Sequence, residues 1–167
     1  TGLQSYTVST KLGFNEFKRG FELSYNRVVN TMGILRASHL GGAQDQFFAI
    51  NSPRPLIIKD FTYGIDRPKQ EVSHQMASAK AFVKSELLGR IDIRYDVQLN
   101  NRREYDIRRG SDQNKASLDL DLQTHAVSLD LTPKWFGFKS FKTGVSGRYL
   151  KNRSNPNTGV KRLIPDY

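Results

Sequence analysis

The residues of this chain best suited to acid–base chemistry come in pairs, Asp92 with Asp96 and Asp119 with Asp121. Paired carboxylates can divide the acid and base or nucleophile roles of glycoside hydrolysis. Their setting points elsewhere. Asp92 and Asp96 alternate with Arg90 and Arg94, and Asp119 and Asp121 alternate with Leu118, Leu120 and Leu122. This regularity is expected of cross-strand charge pairing on a water-filled wall, with Arg94 and Arg102 neutralising acids. The three histidines, His39, His74 and His125, stand at no ligand spacing to one another, and there is no cysteine. A lone loop histidine such as His39 is expected to be solvated rather than to hold haem or metal. No Gly-x-Ser-x-Gly, P-loop or metal-binding spacing occurs. The chain is therefore expected not to be an enzyme, and to hold no metal or cofactor.

Binding chemistry is better represented. Lys and Arg number 26 against 16 Asp and Glu, a net charge of +10. Such a balance first suggests nucleic acid. The basic residues are instead spread along polar strand faces and loops, often beside acids, and no RNA-binding or zinc motif accompanies them. No nucleic-acid partner is expected. Arg102, Arg103, Arg108, Arg109, Lys161 and Arg162 fall near strand ends that share one rim, where they could draw a small anionic ligand towards a mouth. The competing reading gives these residues to lipopolysaccharide contact or to loop solubility.

The elements that must position these residues are strands. Arg90 to Asn100 alternates without a break, with Ile91, Ile93, Tyr95, Val97 and Leu99 on one face and charged or amide residues on the other. Similar alternation predicts strands over Tyr6 to Phe14, from Gly20 towards Ile34, over Ser73 to Ser85, from Arg90 towards Ile107, over Ser117 to Leu131, and over Phe141 to Arg153. Between Gln123 and Ala126 the apolar phase shifts by one residue, and this predicts a β-bulge, with His125 in a structural role there. From about residue 35 to 72 the alternation stops and Gly and Pro punctuate a long segment. Within it Gly42 to Asn51 could form one short helix.

Length, at 167 residues, suits one soluble domain or a barrel of about eight to ten strands. No run is long and apolar enough for a spanning helix. Connections alternate in length along the chain, so a meander would gather short turns at one rim and long loops at the other. That is the asymmetry of outer-membrane barrels with periplasmic turns and extracellular loops. Phe14, Trp135, Phe136 and Phe138 cluster near the short-turn rim, where an aromatic girdle would lie.

The strings IDRPKQEVSH (65–74), YDIRRG (105–110), LDLDLQTH (118–125) and GVSGRYLKNRSNPNTGVKRLIPDY (144–167) resemble the barrel of TonB-dependent outer-membrane receptors, particularly those of Bacteroidetes. The resemblance spans most of the chain and concerns barrel sequence only. It implies an all-β antiparallel meander of about six strands, roughly a quarter of a barrel of about 22 strands. It further implies a bacterial outer-membrane location, contact with membrane lipid, and coupling to TonB through a plug domain. Siderophores, haem, cobalamin or glycans would be the imported nutrients. No plug, TonB box or terminal barrel strand is found, and neither end looks like a natural terminus, so residues 1–167 are expected to be one partial barrel region with a long extracellular-type loop at about 35–72. Alone, such a fragment is expected to self-associate through its two strand edges. The alternative is a small soluble β-barrel or sandwich acting as a binding module, with a basic nucleic-acid-binding β domain behind it.

Overall fold

The computed structural model describes residues 2–35, 42–54, 58, 60, 62–107, 115–134 and 141–154. Six strands follow the predicted alternation: β1 (Leu3–Asn15), β2 (Arg19–Gly33), β3 (Lys69–Ser85), β4 (Gly89–Tyr105), β5 (Leu118–Thr132) and β6 (Thr143–Asn152). The helix α1 (Ala43–Asn51) lies between β2 and β3, as the Gly42 to Asn51 segment suggested. The strands form one antiparallel sheet in the order β1-β2-β3-β4-β5-β6, and the sheet is not closed. β1 and β3 begin earlier than alternation alone indicated, because Leu3 and Lys69 already pair in the ladder, opposite Met32 and Tyr105.

Pairing runs in constant register along every ladder. From Arg90↔Thr132 to Glu104↔Leu118, and from Leu131↔Thr143 to Leu122↔Asn152, each step on one strand is matched by one step on its neighbour. The expected β-bulge between Gln123 and Ala126 is therefore absent. A bulge would place two residues opposite one and shift the partner numbers, and no such shift occurs. The change of apolar phase is a change of environment along an unbroken strand: Val127, Leu129 and Leu131 point to one face of the sheet, and Leu118, Leu120 and Leu122 to the other.

Residues 16–18, 86–88 and 133–142 connect strands at one rim, and 34–68 and 106–117 connect them at the other. The tightest turn is 86–88, where the Ser85 hydroxyl accepts hydrogen bonds from the Leu87 and Leu88 amides and Gly89 takes φ 91°. A Cβ at Gly89 would fall on the Thr132 carbonyl oxygen as well as in a backbone region that side chains disfavour. The third connection at this rim is longer than the sequence suggested, because β6 starts at Thr143 rather than Phe141. Trp135, Phe136 and Phe138 lie outside the described residues.

Among the described residues no helix is long and apolar enough to cross a membrane. Among the described residues no hydrophobic side chain is buried, and nothing packs as a second layer on either face of the sheet. Phe47, Phe48 and Ile50 of α1 are exposed like the strand residues.

Candidate functional site

A constant register lines up side chains in rows that cross all six strands, and alternate rows face opposite sides. One face carries Phe14, Phe21, Ala81, Ile93, Leu129 and Val145 in one row and Leu12, Leu23, Ala79, Tyr95, Val127 and Gly147 in the next. A third row holds Thr10, Tyr25, Ala77, Val97, His125 and Tyr149. These three consecutive rows contain no Lys, Arg, Asp or Glu. Their side chains have no partner layer: Leu12 is 61% exposed, Val127 48% and Val145 69%.

The opposite face carries most of the charge. Arg90 grips Asp92 through Nε and Nη2 at 2.8 and 2.6 Å, and Arg94 grips Asp96 at 2.6 and 2.9 Å. Arg102 pairs with Glu104 through Nη2 alone. These pairs lie two residues apart on one strand, not across strands as the sequence suggested, because the same face recurs every second residue. Cross-strand pairs do occur: Lys11 lies 2.8 Å from Glu22, Lys80 lies 3.4 Å from Glu22, and Lys142 lies 3.0 Å from Asp130. Asp92 and Asp130 are direct register partners, so Arg90 and Lys142 offset two facing carboxylates.

This polar face is concave. A hollow of about 720 Å³ lies against it and is lined by residues from β1 to β5 together with Lys142 beside β6, which requires the sheet to curl towards its charged side. Phe82 places an aromatic ring on this face. Its ring covers Gly20, its register partner, where an added Cβ would meet the ring, and the Arg90 guanidinium sits 4.2 Å from the ring centroid.

The convex apolar rows end in recognisable borders. On β2 the uncharged stretch runs from Arg19 to Arg27. Eight residues of strand span about 27 Å, and a strand tilted by roughly 30–45° would raise that stretch by about 20 Å. The upper border also slants. The last aromatic or aliphatic convex residue is Tyr6 on β1, whereas on β6 it is Tyr149, in the row of Thr10, four residues further along β1. A drop of about 13 Å over five strand spacings of about 4.8 Å corresponds to a slant near 30°. At this upper border stands a set of rings that sequence reasoning missed. The Tyr95 hydroxyl and His125 Nδ1 share a hydrogen bond of 2.7 Å, the two rings stack at 6.2 Å, and Tyr149 lies 6.3 Å beyond His125. Tyr25 donates to Gln75 Oε1 at 2.9 Å. The signal was present in the period-2 positions of these rings, but only register aligns Tyr25, His125 and Tyr149 in one row, with Tyr95 one row below. His125 is thus part of the convex border and not of a bulge.

The expected anion-collecting residues do not converge as far as the structure describes them. Arg102 lies on the concave face with Glu104, and Arg103 lies on the convex face, where its Nε is 3.4 Å from Asp119. Arg108, Arg109, Lys161 and Arg162 lie outside the described residues, as does His39. The aspartate pairs are also divided, Asp92 and Asp96 being concave and Asp119 and Asp121 convex. Among the described residues no group of three His, Asp or Glu side chains is placed to hold a metal.

No protein-family model, curated protein or solved structure matches this chain.

Proposed function

We propose that this chain is a stretch of the wall of an outer-membrane β-barrel of the TonB-dependent receptor type, contributing six strands to a pore that imports a scarce nutrient. The observation that carries the reading is the uncharged convex face without a second layer. A soluble sheet of this amphipathicity would cover it, whereas lipid covers it in a membrane barrel. Its height of about 20 Å and slant near 30° agree with the apolar band of about 25 Å and the strand tilt of about 35–45° found in such barrels. The charged concave face suits a water-filled lumen, and the polar strand ends beyond the upper border suit strands that rise out of the bilayer. The receptor type rests on the sequence strings quoted above, and the nutrient class, such as an iron-siderophore, haem, cobalamin or glycan, follows from that resemblance. TonB would act through a plug domain outside these residues.

The chain has no cysteine, so single cysteines carrying nitroxide labels at positions 91 to 99 report each environment in turn. In lipid vesicles, odd positions should relax faster with dissolved oxygen and even positions with a water-soluble nickel complex. A face shielded from both reagents at odd positions would instead indicate a soluble sandwich.

A further inference from the structure

We infer that the concave face carries a site for a soft monovalent metal ion, of the Cu(I) or Ag(I) kind, formed by His74 Nε2 and the Met76 thioether with Asn26 Oδ1 beside them. His74 and Met76 stand two residues apart on β3, so both side chains rise from one face of the strand, about 6.7 Å apart. Asn26 on β2 is the register partner of Met76, and Asn100 on β4 is the register partner of His74. Two buried polar atoms here, His74 Nε2 and Asn26 Oδ1, have no hydrogen-bond partner. Such atoms are costly to bury unless something satisfies them. Their side chains flank Met76, one along its strand and the other across from it, and a methionine arm is flexible enough to bring its sulfur to the ion they share.

The ligand set decides which ion. Imidazole, thioether and amide are uncharged, and a thioether selects Cu(I) over harder ions. The two register rows that hold these residues, from Ser9 to Leu150 and from Thr7 to Asn152, contain no Asp, Glu, Lys or Arg. The β4 acids below and above them on this face, Asp96 and Glu104, are held by Arg94 and Arg102. Ca²⁺ or Mg²⁺ would find no free carboxylate, and Zn²⁺ no second imidazole or thiolate. The Asn100 amide lies 3.1 Å from His74 Nδ1 and orients the ring. With the amide oxygen turned to the ring, Nδ1–H donates to it and the Nε2 lone pair is free for the ion, the arrangement usual for a ligating histidine. A thioether also extends the ligands beyond His, Asp and Glu, no three of which are grouped for a metal among the described residues. The site needs only the register of β2, β3 and β4, so it does not depend on what covers the convex face.

Titration of the full chain, refolded in detergent, with silver nitrate in chloride-free buffer tests this. The chain has no thiol to compete and one other methionine, Met32. With carbon-13 in the methionine methyl groups, the Met76 signal should shift at one equivalent of Ag(I) while the Met32 signal stays. Loss of an outer partner of a ligand lowers metal affinity about 10–100-fold, so loss of a ligand itself, in Met76→Leu or His74→Gln, should lower it by at least about tenfold in calorimetry. Met32→Leu and His125→Gln should bind as the unaltered chain does. Met76→Leu nearly conserves volume, so its loss of affinity reports the sulfur and not the fold. An unmoved Met76 signal, or equal losses in Met76→Leu and Met32→Leu, would overturn the inference. Zn(II) competing with Ag(I) on equal terms would overturn it too, by removing the thioether from the ligands. Each of these failures leaves the barrel reading intact.

Discussion

Placing an arginine at the centre of the convex band measures what covers that face. Val127 lies in the middle uncharged row, Ser128 is its neighbour on the concave face, and Gln123 is convex but above the border. At a bilayer midplane an arginine facing lipid costs about 2–4 kcal/mol, falling to about 0–1 kcal/mol near the interface. On a water-bathed surface the change stays within about 0.5 kcal/mol. Val127→Arg should therefore destabilise the vesicle-folded chain by about 3 kcal/mol, while Ser128→Arg and Gln123→Arg should each cost less than about 1 kcal/mol. With a urea dependence of about 1–3 kcal/mol per molar, the Val127→Arg midpoint should fall by roughly 1–3 M. Urea titrations of refolding in vesicles, followed by tyrosine fluorescence and far-ultraviolet circular dichroism, read this shift. Equal shifts for Val127→Arg and Ser128→Arg would refute the assignment of faces. A shift at Val127 matched by Gln123 would refute the position of the border.

Gly89→Val should cost roughly 1–3 kcal/mol of backbone strain, with a further loss from overlap with the Thr132 carbonyl, and should lower the refolded fraction on cold gel mobility; a wild-type fraction would show that the turn at 86–88 adapts. Without lipid or detergent the chain should associate through the open edges of β1 and β6 and through its convex face. A monodisperse 19.0 kDa species in light scattering would contradict this. In a complete receptor, Arg108→Glu/Arg109→Glu should weaken uptake of an anionic ligand about tenfold or more, the loss expected from reversing two steering charges, and unchanged uptake would remove these residues from ligand collection.

Much of the sheet was legible in the sequence because a strand has a period of two residues in side-chain direction. The alternation of Ile91 to Leu99 with Asp92, Arg94 and Asp96 identified β4 and its two faces, and similar runs located the other five strands. The same period shows that Arg102 and Arg103, being consecutive, must diverge, so their separation was readable without coordinates. The short helix before Ser52-Pro53 was also marked by its composition. The candidate site was much less legible. The phase change along Leu118 to Leu131 has two local explanations, a bulge or a change of surroundings, and sequence periodicity is the same for both.

Only the pairing between strands separates them, because a bulge is defined by two residues facing one on a neighbour that lies elsewhere in the chain. Register also aligned Tyr25 with His125 and Tyr149, from segments that share no local pattern. Curvature assigned the charged face to the concave side. The sequence by itself determined which residues of each strand share a face; the tertiary structure decided how those faces join into one slanting band, since side-chain direction is a local backbone property and register is a relation between distant segments.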